Sequence, residues 1–214
     1  MSNFTLKSIF LTTSLLSLAS AYAQLPNPVE RPSRLLPYTQ CVYSGGLAPL
    51  AVDRAPRLPM ARPVETASGV KRVSVADGYR VMLAFFNTDP FVNLKIEMSE
   101  AGRYPSDKKI ILEQMESIAS STQGVSKISV ERSTIDGVEL AALNRPVLES
   151  SVLSIYSFFD DASEVIATAY ILNQLPARRA FDDMTHYRGL RDAFVKDAIQ
   201  CMVKHRNSPE MSAR

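Results

Sequence analysis

The sequence predicts an α+β fold in which a largely antiparallel sheet is covered by helices on both faces, as an α/β/α sandwich preceded by a proline-rich extended arm. Three observations predict this fold class. Turn signals divide β-rich runs into hairpins, two segments carry apolar residues at helical spacing, and two consecutive strands are apolar on both faces. A chain of 214 residues, 46% of them hydrophobic, is long enough for one domain with its own core.

The first 23 residues have the features of a secretory signal peptide. Lys7 precedes an uncharged stretch that ends in Ala21-Tyr22-Ala23, where small residues occupy the first and third positions of a cleavage motif. We therefore expect cleavage after Ala23 and a periplasmic or secreted protein without a transmembrane segment. The alternative is an uncleaved membrane anchor, which is disfavoured because the apolar stretch is too short to span a bilayer.

A proline-rich arm is predicted over residues 24–68. It contains eight of the thirteen prolines, which remove backbone donors and interrupt helices and central strands, so we expect an extended and irregular structure. Its five arginines outnumber its three acidic residues. The arm is interpreted as a solvated segment wrapped on the domain and anchored near Cys41, and the alternative is a tail that binds an acidic partner or a membrane surface.

The two cysteines, Cys41 and Cys201, lie near opposite ends of the mature chain. In an oxidising compartment an isolated pair of this kind is expected to form a disulfide. The bond would join the arm to the last helix. The alternative is two buried free thiols.

The predicted domain covers residues 70–203, and its first half is rich in strands. Residues 70–76 and 79–86 flank Asp77-Gly78, a dipeptide that favours a two-residue hairpin turn. Residues 91–98 alternate between apolar and polar side chains, which indicates a strand with one buried face. A helix is expected to begin near Ser106, with its hydroxyl as the N-cap, and to end near Gly124.

The second half of the domain is predicted to contain two hairpins and a final helix. Residues 127–132 and 138–144 flank the turn signal at 135–137, and residues 151–159 and 164–172 flank a turn at 160–163. The strands of the second hairpin are apolar on both faces, which is typical of the middle of a covered sheet. An amphipathic helix from residue 182 or 185 to 203 precedes a polar tail at 204–214.

Three segments carry a resemblance to a known family. They are Asn93-Leu94-Lys95-Ile96, Ile135-Asp136-Gly137-Val138 and Ile155-Tyr156-Ser157-Phe158-Phe159. Together with the order of elements over residues 70–203, they resemble the PsbP-like α/β/α sandwich. The resemblance implies a non-enzymatic accessory or binding domain that acts through protein contacts in the cell envelope. A cystatin-like α+β fold is the structural alternative.

Local motifs for catalysis or cofactor binding are lacking. The sequence has no Gly-x-Ser-x-Gly elbow and no glycine-rich phosphate loop, so we expect no cofactor. His186 and His205 are interpreted as lacking a second histidine or cysteine at ligand spacing, so no zinc site is expected. The pairs Asp160-Asp161 and Asp182-Asp183 are interpreted as a hairpin turn and a helix start.

The alternative function is a small periplasmic hydrolase. Its catalytic residues would be distant in sequence and come together only in the folded structure.

A candidate docking patch surrounds the start of the last helix. Helical spacing places two of its members, Arg188 and Arg191, on neighbouring faces of this helix. The functional interpretation is a site for an anionic partner, and the alternative is a solvated charged surface. With a net charge of only +2, the chain lacks the concentrated basic surface of a nucleic-acid-binding protein, so the expected partner is an unidentified envelope protein. The patch consists of Arg178, Arg179, Arg188 and Arg191.

Overall fold

The computed structural model describes residues 33–54, 59–121, 128–145, 148 and 150–206. These residues form eight β-strands, two α-helices and three short 3-10 helices. The strands are β1 (Ala48–Arg54), β2 (Met60–Thr66), β3 (Gly69–Ala84), β4 (Pro90–Ser99), β5 (Glu131–Ile135), β6 (Val138–Asn144), β7 (Val152–Asp160) and β8 (Val165–Leu172). The helices are α1 (Tyr104–Ser121) and α2 (Met184–Arg206), and the 3-10 helices are Leu36–Gln40, Ser44–Gly46 and Pro176–Arg178.

All eight strands belong to one antiparallel sheet. Its order is β1-β3-β4-β8-β7-β6-β5, and β2 pairs with the first half of β3 beside this path. With 16 residues, β3 is long enough to pair with β2, β1 and β4. The pairing of β4 with β8 joins the two halves of the sheet and places β8 at its centre.

The predicted sandwich, with helices covering both faces of the sheet, is wrong. Of the described residues, 43% lie in strands and 32% in helices, and only two α-helices accompany the eight strands. A helix is roughly 10 Å wide and strands lie about 4.8 Å apart, so a single helix covers about two strands. The edge strands β1 and β5 are accordingly exposed along almost their whole length. The fold is mostly an antiparallel sheet on which two helices pack locally.

The pair β7 and β8 is buried on both faces, which confirms the prediction for these two strands. Phe158 and Phe159 are neighbours in β7, so their side chains point to opposite faces, and both are fully buried. Phe158 joins a core that includes Phe194 of α2. Phe159 joins a second core that includes Met115 of α1. The strands apolar on both faces therefore contribute to both cores.

The predicted hairpin at Asp77-Gly78 is wrong. β3 continues through this dipeptide with a β-bulge between Val75 and Asp77, and the turn that joins β2 to β3 lies at residues 67–68. Asp77 is held within the sheet, because its Oδ1 accepts a hydrogen bond from Nε of Arg54 on β1 at 3.1 Å. Pairing of β3 with three strands outweighs the local turn preference of the dipeptide.

Part of the predicted irregular arm forms regular strands, so the expectation is wrong for these residues. β1 and β2 both lie within residues 24–68 and pair with β3. Each is an edge strand, where a proline can be tolerated because one side of the strand has no ladder to complete. Pro49 lies in β1 next to an irregularity in register, and Pro63 lies in β2. Residues 24–32 and 55–58 of the predicted arm are outside the described residues.

The other two predicted hairpins are confirmed. Asp136 and Gly137 join β5 to β6 with φ of 50° and 77°, the left-handed conformation that this turn requires. Residues 161–164 join β7 to β8. α1 begins at Tyr104, two residues before the predicted start, and its predicted end near Gly124 is outside the described residues.

The predicted ends of the chain are only partly described. The predicted signal peptide at residues 1–23 and the tail after Arg206 are outside the described residues. Residues 204–206, which were expected in the tail, belong to α2. In the described part of the chain, neither α-helix combines the length and apolar composition needed to cross a membrane.

Candidate functional site

A disulfide fixes the segment that precedes the sheet to the last helix. Cys41 and Cys201 are bonded, with their Cα atoms 5.8 Å apart, which confirms the predicted pairing. The same segment is also held by hydrogen bonds, because the backbone N and the Oγ of Ser44 donate to Oδ2 of Asp197 at 2.6 and 2.7 Å. The beginning of the described chain is therefore held on α2 by a covalent bond and by a charge-assisted contact.

Cys201 and His205 lie at metal-ligand spacing, four residues apart on one helix. Together with Cys41, they place one ligand atom each within 4.8 Å of the others. The expectation that neither histidine has a cysteine at ligand spacing is therefore wrong for His205. Because thiolates and not disulfide sulfurs are the usual metal ligands, the bonded cysteines act here as a covalent anchor.

Two arginines of the predicted docking patch lie on the loop after β8. Nε of Arg178 pairs with Oδ1 of Asp89 at 3.0 Å, yet the Arg178 side chain remains 62% exposed. The guanidinium of Arg179 lies 5.2 Å from the ring centroid of Phe181. Both cations therefore have internal contacts that fix their position on this loop.

The other two arginines of the patch lie on α2. Nη2 of Arg191 pairs with Oδ1 of Asp192 at 2.7 Å, and its guanidinium lies 5.8 Å from the ring centroid of Tyr187. Arg188 is exposed. The structure thus places the patch on two elements, and its role in docking stays a prediction.

Two large apolar side chains are exposed on loops that contact each other. Phe86, in the turn between β3 and β4, is 89% exposed, and Leu175, after β8, is 69% exposed. The two loops are bonded, because the backbone N of Asp89 donates to the carbonyl of Arg178 at 3.0 Å and Nε2 of Gln174 donates to the carbonyl of Asp89. The term loop surface is used below for Phe86, Leu175, Arg178 and Arg179.

A basic pocket of about 80 Å³ lies on the sheet at β2, β3 and β4. Among the described residues, its polar lining comprises three cations, Arg62, Arg80 and Lys95, and one carboxylate, Glu97. Its apolar lining consists of Met60, Val75 and Tyr79.

The charges in the basic pocket are only partly paired. Nη2 of Arg62 contacts Oε2 of Glu97 at 2.6 Å, and Glu97 is only 8% exposed. Arg80 and Lys95 are direct cross-strand neighbours in β3 and β4. Nζ of Lys95 lies 5.2 Å from the ring centroid of Tyr170. Burial lowers the pKa of Lys95, the positive charges of Arg62 and Arg80 lower it further, and the carboxylate of Glu97 opposes part of this shift.

The pocket was not predicted from the sequence, although part of the pattern that forms it was visible there. The alternation of residues 91–98 placed Lys95 and Glu97 on the polar face of one strand. Because a hairpin was incorrectly predicted at Asp77-Gly78, the strand register that places Arg80 opposite Lys95 could not be derived from the sequence. The arm was expected to be irregular, so Arg62 could not be assigned to a strand beside them.

The pair Asp160-Asp161 belongs to the end of β7 and the turn that follows, as predicted. Asp160 is fully buried, and its Oδ2 accepts a hydrogen bond from Oγ of Ser163 at 2.6 Å. Nε of Arg206 lies 3.0 Å from Oδ1 of the same carboxylate. This ion pair fixes the last turn of α2 to the sheet.

The pair Asp182-Asp183 marks the start of α2, as predicted. Oδ1 of Asp183 accepts hydrogen bonds from the backbone N of Thr185 at 2.7 Å and of His186 at 2.8 Å, which is the geometry of an N-cap. These two bonds lower the pKa of Asp183. Nδ1 of His186 lies 3.8 Å from Asp182, and both side chains are exposed, which confirms the interpretation of His186 as a surface residue.

Comparisons of the chain with protein families, with curated proteins and with solved structures return no match. The PsbP-like resemblance therefore stays a prediction.

Proposed function

We propose that this chain is an exported accessory domain that binds a protein partner in the cell envelope, as the PsbP-like resemblance implies. The observation that carries the proposal is the loop surface, where Phe86 and Leu175 expose large apolar side chains on two bonded loops that also carry Arg178. The disulfide between Cys41 and Cys201 supports export, because such bonds persist in oxidising compartments.

The loop surface has the composition of a binding site. Single exposed apolar residues are common on proteins, but here two large ones lie on loops that are bonded to each other and that also carry Arg178. Energetic anchors at protein interfaces are typically buried apolar or aromatic side chains with polar residues around them. The expected partner presents an apolar recess for Phe86 and a carboxylate for Arg178 or Arg179.

The alternative function, a small hydrolase, is supported by no described observation. The two carboxylate pairs that were its candidates serve a turn and a helix start. A binding role therefore accounts for more of the described surface.

Site-specific crosslinking tests the proposal in the full chain. A photoreactive residue is placed at Phe86, and a matched control carries it at Val70, which is 66% exposed at the opposite end of β3. At about 3.3 Å per residue, the two positions are roughly 50 Å apart along the strand. We expect one discrete adduct from position 86 in envelope fractions and none from position 70.

The charge of the loop surface provides the second part of the test. Arg178→Glu in the position-86 variant should abolish the same adduct, since it reverses the charge presented to the partner carboxylate. Equal adducts from positions 86 and 70, or no adduct from 86, would overturn the proposal. Export is tested separately by intact mass, which should show a mature chain beginning at Gln24.

A further inference from the structure

We propose that the basic pocket binds the carboxylate of a small organic anion that carries a short apolar body. This site is separate from the loop surface and does not depend on the docking role proposed above. The supporting observations are the arrangement of its cations, the shape of the sheet around it and the chemistry of its lining.

The first observation is that two positively charged residues lie directly opposite each other on adjacent strands. Arg80 and Lys95 are cross-strand neighbours, and such pairs destabilise a sheet unless a counter-charge lies between them. Arg80 has a second cross-strand neighbour, Asp53 on β1, but no ion pair joins them. Within the described residues, Lys95 also has no carboxylate within ion-pair distance. Two of the three cations are therefore available to an anion.

The third cation of the pocket is fixed in place. Arg62 is paired with the largely buried Glu97, and its Nε is buried without a hydrogen-bond acceptor in the described part of the chain. Glu97 thus neutralises one cation and orients it, while Arg80 and Lys95 keep the pocket positive. Fixed donors of this kind are typical of sites that bind anions, because little reorganisation is needed on binding.

The second observation is a local irregularity of the sheet beside the pocket. The β-bulge of β3 lies between Val75 and Asp77, directly before the pocket residue Tyr79. Bulges often redirect side chains next to functional sites. The cross-strand neighbour of Glu97 is Gly78, which places no side chain beside this carboxylate. The bulge therefore lies beside the pocket that Val75 helps to line.

The lining indicates the class of ligand. A volume of about 80 Å³ exceeds the roughly 15 Å³ that one ordered water requires, so the pocket admits a carboxylate with a few additional atoms. Because Lys95 and Arg80 both line the pocket, a carboxylate bound there lies close to both cations. Met60 and Val75 offer apolar contact to the rest of the ligand, which favours an organic acid over a fully polar anion such as phosphate.

Titration of the oxidised full chain with butanoate tests this assignment. Backbone amide NMR shifts are followed at constant ionic strength, with butanol as the uncharged analogue and inorganic phosphate as the polar anion. We expect saturable shifts confined to β2, β3 and β4 for butanoate, with a Kd on the order of millimolar. Stronger binding of phosphate or equal binding of butanol would overturn the assigned ligand class.

Variants separate the pocket from general charge effects. Lys95→Met should weaken butanoate binding about ten-fold, because it removes one charge-assisted hydrogen bond. Arg72→Gln is the control, since Arg72 is an exposed cation on β3, the strand that carries Arg80, and is not part of the pocket lining. We expect the control to bind like the wild type. Equal weakening in both variants would show a nonspecific effect of charge.

A stability measurement distinguishes a binding site from a structural one. Without ligand, Lys95→Met should raise the thermal midpoint, because it relieves the repulsion with Arg80. Butanoate should raise the midpoint of the wild type and leave that of Lys95→Met nearly unchanged. A lower midpoint for ligand-free Lys95→Met, together with unchanged butanoate shifts, would overturn the proposal.

Discussion

Removal of the disulfide is expected to cause a large loss of stability. The bond joins residues separated by 160 positions, and for a loop of this length the chain-entropy relation gives a stabilisation of about 5 kcal/mol. That value is an upper limit, because a denatured chain retains some structure. Since domains are typically stable by about 5–15 kcal/mol, a loss of up to about 5 kcal/mol in the Cys41→Ser/Cys201→Ser variant would be a large part of the total.

Without the disulfide, the folded protein should nevertheless keep the noncovalent contacts between the segment that contains Cys41 and α2. Ser44 still donates two hydrogen bonds to Asp197, and the rings of Tyr43 and Phe194 still stack with centroids 5.5 Å apart. The expected effect is therefore on the unfolded state, which becomes less restricted. The dependence of unfolding free energy on urea should steepen, because a chain without the crosslink exposes more surface when it unfolds.

Urea unfolding followed by circular dichroism checks both effects in the oxidised wild type, the reduced wild type and the double serine variant. Ser44→Ala is the control for the neighbouring noncovalent contact, and it should cost only about 1–2 kcal/mol. If the double variant unfolds with the free energy of the oxidised wild type, the disulfide does not restrict the unfolded chain and the reasoning fails.

Three further predictions concern buried or capping groups. Arg206→Met should destabilise the protein by about 3 kcal/mol in urea unfolding, because it leaves the buried Asp160 carboxylate without its cation; an unchanged midpoint would contradict this. The pKa of Asp183 is lowered by its backbone bonds, so its stabilisation of α2 should be complete at neutral pH and be lost as the pH falls below about 4. Asp183→Asn should retain the cap without this acid dependence in helical circular dichroism, and equal acid profiles would argue against the cap. Burial raises the pKa of Tyr187 to about 12, so stability should be constant below about pH 10 and decrease as the pH rises towards 12, a decrease that Tyr187→Phe should reduce.

The sequence predicted those parts of the fold that depend on local geometry. Asp136 and Gly137 form a hairpin turn because both adopt the positive φ that the turn needs. Asp77 and Gly78 offer the same local preference, but their strand pairs on both sides with distant strands. The strand content was underestimated for the same reason. The edge strands β1 and β2 come from a segment whose prolines, considered alone, favour irregular structure.

The sites were predictable to different degrees. The disulfide required only two cysteines and an oxidising compartment, so composition was sufficient. The basic pocket depends on register, because Arg62 and Glu97 are 35 residues apart in sequence and meet only through the pairing of β2, β3 and β4. The exposure of Phe86 depends on which of two adjacent phenylalanines faces the core, and alternation alone does not settle this beside a turn.

The basic pocket is lined partly by β3 and Phe86 lies in the turn that follows this strand, yet the two proposed sites should act independently. Arg80 and Phe86 are six residues apart, which corresponds to about 20 Å in an extended strand. This separation exceeds the Debye length of about 8 Å at physiological ionic strength, so an anion in the basic pocket should have little electrostatic effect on Arg178 at the loop surface. β3 is also held by three neighbouring strands, which restricts any change of shape between the sites. Lys95→Met should therefore leave crosslinking from position 86 unchanged, and a loss of that adduct would show that the two sites are coupled through the sheet.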